Sequence, residues 1–361
     1  MKNHIIHIHY YSFNKKNGAA ASLIDLANCS SEFTQVVFFI TNLNSIKEII
    51  FNSRKDIKII FISKIKFVQK LIFSFIKLQK SNILCVDAIG DYNSLKNLGY
   101  RNIVRYFASD LRTLKKVDNY SDLKIENLIK TLRKYDFCLV QSISTANNLK
   151  ENKINSKVLF PTCDEEWFES IFNRVQNNFT KKINLSIVGS IQPRKNQLDA
   201  ISLAYKLSRL TNLKIVLKVV GKSLDDNYLK QCKERVIDLR SNSFEVLFLG
   251  HLDDYRSVYQ ETDVIVQTSI SEGFSRILRE AMYVNIPICA YLLPSNIEHI
   301  SHDRSINCEN FDLQTLTDNL YNSIINNKLP LIADNAKGYY LDNLSKKIYK
   351  KSLYSNVINQ A

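Results

Sequence analysis

Short apolar runs alternate with segments of helical periodicity along most of the chain. In the first half, seven runs are strand candidates: IIHIHY, QVVFFI, IKIIFI, NILCVD, NIVRYFA, FCLVQS and KVLF. The pattern begins again at NLSIVGS (184–190) and continues through LKIVLKVVG, FEVLFLG, DVIVQTS and IPICAY. Apolar strands separated by helices are typical of βαβ units, in which helices cover both faces of a parallel sheet. The pattern therefore predicts an α/β protein with two doubly wound parallel sheets.

A polar segment between the two sets of strands predicts where the first domain ends. Residues 162–182 are mixed and polar, and a chain of 361 residues is long enough for two domains. We expect an N-terminal Rossmann-like domain over 1–165 and a C-terminal one over 180–333. The helical pattern over 334–361 predicts a last helix that crosses back to the N-terminal domain.

Composition narrows the class of protein. Hydrophobic residues make up 45% and charged residues 23%, which is typical of a folded globular chain. The net charge of +14 favours an anionic partner, such as a phosphate ligand, a membrane surface or nucleic acid. The seven cysteines show no CxxC spacing and lie mostly in apolar runs, which predicts reduced, buried thiols. No run reaches the length of a membrane span or a signal-peptide core, so we expect a cytoplasmic location.

The segment SEGFSRILREAM (271–282) predicts a ligand site at the end of a strand. It follows DVIVQTS, so Glu272 and Gly273 lie at the carboxyl edge of the sheet, where open α/β proteins bind ligands. Gly273 allows a tight turn, and the helix that follows presents amides that favour a phosphate. These amides belong to Phe274, Ser275 and Arg276.

The two glutamates of this segment, Glu272 and Glu280, are too far apart along the chain to share one proton. Separated carboxylates can instead hold two hydroxyl pairs of one extended ligand. A nucleotide sugar fits, because it has a sugar at one end, a ribose at the other and a diphosphate between. The alternative is that Glu272 caps the helix and Glu280 is solvated. The spacing alone leaves both interpretations open.

A second loop, in VGSIQPRKNQ, begins at Ser190, after the strand that ends at Gly189. It presents Arg194 and Lys195 just before a long helix. Two cations beside a helix N-terminus suit a diphosphate. Taken alone, the loop is better explained as an ordinary exposed basic turn, and it gains meaning only beside the glutamate segment.

Together the two motifs resemble the retaining glycosyltransferases of the GT-B fold, family 4, also called group 1. The resemblance is strongest over 184–300 and rests on VGSIQPRKNQ, LKVVGKSLDDNYLKQCKE, FLGHLDDYRSVYQETDVIVQTS, EGFSRILREAM and NIPICA. It implies two Rossmann-like domains facing a cleft and a metal-independent hexosyltransferase. The implied partners are a nucleotide-sugar donor and a glycan or lipid-linked glycan acceptor, as in cell-surface polysaccharide biosynthesis.

The resemblance also implies roles for individual residues. Glu272 corresponds to the glutamate that contacts the donor sugar, and Glu280 to the one that contacts the ribose. The amides of 273–276 correspond to those that hold the distal phosphate. Lys195 matches the family lysine, and with Arg194 it would neutralise the leaving diphosphate.

The sequence departs from the family pattern at several positions. Ser190 stands where the family has an arginine, and Arg194 or Arg276 would compensate. Ser275 replaces the second glycine of the turn, which narrows the room beside the sugar. In YFASDLRTLKK, Ser109 occupies the place of a histidine and is followed by Asp110. Gly18, within NGAAASLIDLAN, matches a glycine turn near the acceptor.

The segment KIKFVQKLIFSFIKLQK (64–80) has lysines on one side and a wide apolar face. The simpler interpretation is a helix that packs on the core with a solvated basic side. Because Phe67 and Phe73 lie outside the apolar stripe, a peripheral contact with an anionic membrane is the second interpretation.

Other functions stay open at this point. A sugar-nucleotide epimerase of the same fold would need acid–base side chains around the sugar, and no convincing set is evident. A non-catalytic basic protein that binds nucleic acid or membrane would explain the charge, but aromatic RNA-binding motifs and DNA-binding modules are not evident. No metal and no cofactor are expected, because the paired aspartates at 225–226 and 253–254 stand where helices begin.

Overall fold

The computed structural model describes residues 4–9, 34–40, 58–62, 83–86, 92, 96, 103–107, 111–116, 120–171, 181–252, 254–353 and 355. The chain divides into two units. The first comprises Met1–Thr162 together with Lys346–Ala361, and the second comprises Cys163–Ser345. The division at Cys163 falls within the polar segment 162–182.

Seven strands form the sheet of the first unit, in the order β3-β2-β1-β4-β5-β6-β7. Their bounds are β1 His4–His9, β2 Thr34–Ile40, β3 Lys58–Ile62, β4 Ile83–Val86, β5 Ile103–Phe107, β6 Phe137–Val140 and β7 Ser156–Val158. Every pair is parallel, and Ile8 at the centre lies opposite Phe38 on one side and Val86 on the other. The strands coincide with the seven apolar runs, so the predicted parallel sheet is confirmed.

Three described helices lie between β5 and β7 in the chain: α1 Leu111–Lys116, α2 Asp122–Leu132 and α3 Ile143–Glu151. Ser121 caps α2 by accepting a hydrogen bond from the amide of Lys124, and Ser142 caps α3 in the same way. Leu128 of α2 and Leu149 of α3 are buried in one cluster with β6. The helices therefore cover the sheet with their apolar sides.

Six parallel strands form the sheet of the second unit, in the order β10-β9-β8-β11-β12-β13. Their bounds are β8 Lys182–Val188, β9 Lys214–Val220, β10 Phe244–Gly250, β11 Val264–Gln267, β12 Ile288–Tyr291 and β13 Ile306–Cys308. Five of these strands match the predicted runs. The sixth, β13, was missed because its sequence Ile-Asn-Cys holds only two apolar residues, separated by an asparagine and flanked by Ser305 and Glu309.

The helices of the second unit lie before, between and after these strands in the chain. They are α4 Glu165–Phe168, α5 Gln197–Leu210, α6 Asp226–Asp238, α7 Arg256–Gln260, α8 Arg276–Tyr283, α9 Ile297–Ile300, α10 Leu313–Ile325 and α11 Leu329–Asn343. The core lies where Leu185 of β8 and Leu217 of β9 meet Ile201 and Leu207 of α5, all of them fully buried. Full burial of one such side chain contributes ~1.5–3 kcal/mol. This packing fixes the carboxyl edge of the sheet, where the site lies.

The predicted single helix over 334–361 is observed as two. After α11 ends at Asn343, α12 begins at Lys346 and runs to Leu353. Leu344, which follows α11 in the chain, has left helical geometry and is fully buried, and the hydroxyl of Ser345 donates to the carbonyl of Leu341. The break allows Leu344 to reach the core, which a continuous helical pattern does not reveal.

Several predictions fall on residues that the structure does not describe. Gly18, Ser109 and Asp110, proposed for the acceptor side, lie outside the described residues, as does the basic segment 64–80.

Two predictions about the remaining residues can be compared with the structure. Five cysteines lie in the described ranges, and all of them are buried thiols that form no disulfide with one another: Cys138, Cys163, Cys232, Cys289 and Cys308. Within the described ranges, no helix has the length and apolar character needed to cross a bilayer.

Candidate functional site

The site lies where the order of strands in the second sheet changes direction. Strands β8 and β11 are neighbours there, with Leu185 opposite Val264, although the chain passes through β9 and β10 between them. Loops that leave such neighbours diverge to opposite sides and leave a crevice at the carboxyl edge of the sheet. Both sequence motifs belong to these two loops.

The loop after β8 begins with a close approach between two glycines. The amide of Gly189 donates to the carbonyl of Val220 at 2.8 Å. A Cβ on Gly221 would lie 1.9 Å from the carbonyl oxygen of Gly189, so only glycine fits at the end of β9. The side chain of Lys195 passes over Gly189, where an added Cβ would lie 3.4 Å from its Cε. Two glycines thus make room for the basic loop.

A single turn of 3₁₀ helix, Pro193–Lys195, presents the two cations. It ends at Asn196, whose φ of +50° reverses the chain into α5. The turn is tied to the loop after β11, since the amide of Ile270 donates to the carbonyl of Arg194 at 3.0 Å. The hydroxyl of Thr268 donates to the carbonyl of Asn196 at 2.7 Å. The two loops therefore hold each other in place.

Both cations converge on the carboxylate of Glu272. The ammonium of Lys195 contacts Oε1, and Nη1 of Arg194 lies 3.2 Å from Oε2 and also donates to the carbonyl of Ser271. The exposed fractions of the side chains are 10% for Glu272, 15% for Lys195 and 33% for Arg194. Burial raises the pKa of Glu272, but the charges of Lys195 and Arg194 outweigh it and hold that pKa below its usual value. The interpretation of an ordinary exposed basic turn is therefore wrong.

Ser295 stabilises the turn from Glu272 into α8 by hydrogen bonding to its backbone. The Ser295 hydroxyl contacts the carbonyls of Glu272 and Gly273, at 2.7 and 3.1 Å. Helix α8 begins at Arg276, with Ser275 as its N-cap residue, and the Ser275 side chain makes no capping hydrogen bond. Glu272 is therefore not the cap, and the positive end of the helix dipole faces this loop.

The second glutamate, Glu280, is enclosed by hydrogen-bond donors. Its Oε1 accepts from the hydroxyl of Tyr255 at 2.9 Å and from Nε of Arg276 at 2.7 Å, and its Oε2 accepts from the hydroxyl of Tyr259 at 2.7 Å. The side chain has no exposed surface. The alternative that Glu280 is solvated is therefore wrong, and its donors differ entirely from those of Glu272.

Sequence reasoning did not single out the two tyrosines. Tyr255 is half-buried and packs edge-on against Trp167, with 4.8 Å between the ring centroids. Tyr259 is fully buried and packs on Phe168 at 5.3 Å. Burial and the neighbouring Glu280 carboxylate raise the pKa of Tyr259, so its hydroxyl stays a donor. Their spacing of four along one short helix is the signal that could have indicated them, since it puts both on one side.

Phe274 joins the site to the buried residues behind it. Its ring stacks on the imidazole of His299 with centroids 3.8 Å apart, and Cζ of Arg279 lies 5.6 Å from the centroid of the Phe274 ring. His299 is fully buried, and its Nδ1 lies 3.1 Å from the hydroxyl of Tyr339. Burial lowers the pKa of His299, so the imidazole is neutral at pH 7. The stack holds the loop by packing.

Ser190, the departure from the family pattern, makes local contacts. Its hydroxyl accepts a hydrogen bond from Gln192 at 2.6 Å, and its carbonyl accepts one from Gln197 at 3.0 Å. Among the residues that the structure describes, no three His, Cys, Asp or Glu side chains are grouped so that they could hold a metal ion. The charged groups that meet at this edge of the sheet are Arg194, Lys195 and Glu272.

The comparison with family models concerns the same part of the chain. Residues 169–335 match glycosyl transferases group 1. The matched segment contains both loops, the two glutamates and the two tyrosines that bind Glu280. None of the curated protein sequences compared with this chain matches it.

Solved structures resemble the chain over almost its whole length. Alr3699/HepE from Anabaena, in complex with UDP and glucose, has 16% identity and a TM-score of 0.78, with 98% of each chain covered. A glycosyltransferase from Rickettsia africae has 17% identity and a TM-score of 0.74, with 98% of this chain and 97% of that chain covered. At such low identity the likeness concerns the fold. The chain has the GT-B fold with two Rossmann-like domains.

A third solved structure was obtained with sugars. It is a variant of TarM from S. aureus in complex with fondaparinux, α-GlcNAc-glycerol and UDP, with 11% identity and a TM-score of 0.74. The similarity covers 98% of this chain and 99% of that chain. Here again the similarity lies in the fold.

Proposed function

We propose that this protein is a glycosyltransferase that moves a sugar from a nucleotide-sugar donor to a glycan or lipid-linked glycan acceptor. The observation that carries the proposal is the meeting of Lys195, Arg194 and Glu272 at the carboxyl edge of β8 and β11. The match to glycosyl transferases group 1 and solved relatives of the same fold that bind UDP support it.

In this proposal the cations act on the leaving group. When the bond between the sugar and the diphosphate breaks, negative charge grows on the phosphate oxygen. Lys195 and Arg194, together with the first amides of α8, stabilise that charge where it develops. In the structure both cations pair with Glu272, so the diphosphate has to share them or displace the carboxylate.

The two glutamates divide the donor between them. Glu272 lies beside the cations and contacts the sugar, while Glu280 accepts hydrogen bonds from the ribose. Their separate donor sets support this division, because Glu272 pairs with charges and Glu280 mainly with hydroxyls. Ser275 is buried at the turn, and its side chain takes up space beside the sugar. The protein should therefore bind only those donors whose sugar fits in the remaining space.

We propose that transfer retains the anomeric configuration and needs no metal. The acceptor oxygen bonds to the anomeric carbon on the face that the phosphate oxygen leaves, and the acceptor proton passes to the departing diphosphate. Lys195 and Arg194 supply the positive charge that a metal would otherwise bring. Proton NMR of the first product identifies the anomer, and an inverted product would contradict retention. Activity lost with excess chelator and restored by magnesium or manganese would contradict the metal-free step.

We further propose a cytoplasmic enzyme of cell-surface polysaccharide biosynthesis that touches the membrane through 64–80. The support is the charge and aromatic content of that segment in the sequence. Replacement of Lys66, Lys70 and Lys77 by Gln should reduce co-sedimentation with vesicles rich in phosphatidylglycerol and leave donor binding intact. Unchanged sedimentation would favour the alternative interpretation, in which the segment is a helix that packs on the core.

A thermal-shift screen of nucleotide sugars and nucleoside diphosphates tests the main proposal. A ligand present at one hundred times its Kd stabilises the folded state by about 2.7 kcal/mol, which is measurable as a rise in Tm. We expect one nucleotide class to raise the Tm and its sugar conjugate to serve as donor. No shift of the Tm with any nucleotide would contradict the proposal. In a separate binding assay, RNA binding that falls steeply with salt would favour a nucleic-acid-binding protein instead.

A further inference from the structure

The carboxylate of Glu280 is covered by three donors in this structure. Tyr255 and Arg276 donate to Oε1, and Tyr259 donates to Oε2. None of its surface is exposed. A ligand can reach this carboxylate only if at least one of the three donors moves.

The number of acceptor sites leads to the same conclusion. An ionised carboxylate has about four lone-pair sites, and three of those on Glu280 are occupied. The proposed function, on which this inference rests, brings a ribose whose neighbouring hydroxyls donate two hydrogen bonds. Two new bonds do not fit beside three existing ones, so one donor must leave.

The three donors differ in how firmly they are held. Tyr259 is fully buried, and its ring is fixed against Phe168. Arg276 makes a charge-assisted hydrogen bond of 2.7 Å, about twice as strong as a neutral one. Tyr255 is half-buried, donates a longer bond of 2.9 Å from an uncharged hydroxyl, and precedes the first residue of α7 with non-helical backbone angles. Tyr255 is therefore the donor that exchanges most readily.

We propose that Tyr255 is a positioning residue that controls access to Glu280, because its hydroxyl occupies the acceptor site that one hydroxyl of the donor nucleotide takes. When the nucleotide binds, the ring of Tyr255 shifts against Trp167, and its hydroxyl thereby leaves Oε1. Tyr259 keeps its bond to Oε2 throughout and holds the carboxylate in position. The two tyrosines thus contact the same carboxylate with opposite consequences for binding.

A matched pair of variants separates these roles. Tyr255→Phe and Tyr259→Phe each remove one hydroxyl from the same carboxylate and keep the ring. Calorimetry should show that Tyr255→Phe binds UDP at least about tenfold more tightly, the contribution of one hydrogen bond to a carboxylate. Tyr259→Phe should bind UDP more weakly. If the wild-type protein prefers another nucleoside diphosphate in the thermal-shift screen, that nucleotide replaces UDP.

A nucleotide without ribose hydroxyls supplies the second readout. The 2′,3′-dideoxy form of the diphosphate cannot compete for Oε1, so Tyr255→Phe should bind it no more tightly than the wild type does. In steady-state assays Tyr255→Phe should lower the donor KM and leave kcat within about twofold, since only ground-state binding changes. A merely structural role for Tyr255 would not distinguish the two nucleotides.

Equal or weaker binding of UDP by Tyr255→Phe would overturn the inference, as would equal tightening for the dideoxy nucleotide. Thermal unfolding without nucleotide gives an independent check, because a readily exchanged hydroxyl is replaced by water. Tyr255→Phe should therefore lower the Tm less than Tyr259→Phe, and an equal or larger loss would overturn the inference too. Failure of the wild-type protein to bind any nucleoside diphosphate would instead contradict the proposed function.

Discussion

The Lys195 ammonium contacts the Glu272 carboxylate although the two residues are 77 positions apart in the chain. The contact joins the loop after β8 to the loop after β11, and Arg194 pairs with the same carboxylate. Folding therefore assembles one anion and two cations at the crevice. The negative charge of Glu272 partly offsets the positive charges of Lys195 and Arg194. All three side chains lie close to the place proposed for the diphosphate.

Replacement of the two cations should affect stability unequally. Lys195→Met removes the less exposed partner of Glu272 and should lower the free energy of unfolding by about 2 kcal/mol, because a largely buried carboxylate loses a charged partner. Arg194→Met removes the more exposed partner and should cost less than about 1 kcal/mol. Denaturant unfolding of both variants measures the difference. Equal losses would show that Lys195 is not the main counter-ion.

The close approach of Gly221 to Gly189 gives a second prediction. Gly221→Ala places a Cβ against the Gly189 carbonyl and should destabilise the protein by more than about 2 kcal/mol, with loss of donor binding. Gly338 on α11 has open space around its Cα and serves as the control. Gly338→Ala should raise stability by about 0.5–1 kcal/mol. A tolerated Gly221→Ala, judged by Tm and nucleotide binding, would mean that the two turns can separate.

Much of the fold could be predicted from the sequence, because buried parallel strands are continuous apolar runs. The runs predicted twelve of the thirteen described strands in the two sheets. The edge strand β13 escaped because Ile306, Asn307 and Cys308 do not form a continuous apolar run. The break between α11 and α12 escaped because Leu344 fits a helical pattern as well as it fits the core.

Site residues that belong to a sequence motif could be predicted. Those that reach the site only through tertiary contacts could not. Glu272, Lys195 and Arg194 were identified from their loops. Their pairing with one another was not, since it depends on how β8 and β11 become neighbours. Tyr255 immediately precedes α7 and Tyr259 lies within it, both far from Glu280 in sequence, so only the packing of this segment against α8 reveals them.

The stack of His299 on Phe274 should make stability depend on pH. Burial lowers the pKa of His299, with Arg279 and Arg304 acting in the same direction and Glu298 opposing them. The unfolded chain takes up this proton near pH 6.5 and the folded chain only at lower pH, so stability present above that value is lost as the pH falls. Between pH 6.5 and 5.5 this group should contribute up to about 1 kcal/mol of the loss.

The contribution of His299 can be isolated with two variants. His299→Gln should remove that part of the pH dependence, as measured by guanidinium unfolding at several pH values. His251 lies exposed at the surface, and His251→Gln should retain the wild-type slope. The same slope in all three proteins would mean that His299 is not the titrating group.

Calorimetric titration of the preferred nucleoside diphosphate into Glu272→Gln and Glu280→Gln tests the central claim most directly. Glu280→Gln should bind it at least about tenfold more weakly, because charge-assisted hydrogen bonds to the ribose contribute ~1.5–3 kcal/mol. Glu272→Gln should bind it as tightly as the wild type or more tightly, since Lys195 and Arg194 are released from their carboxylate, while its kcat falls at least about tenfold. Equal weakening in both variants, or none in either, would contradict the division of the donor between the two glutamates.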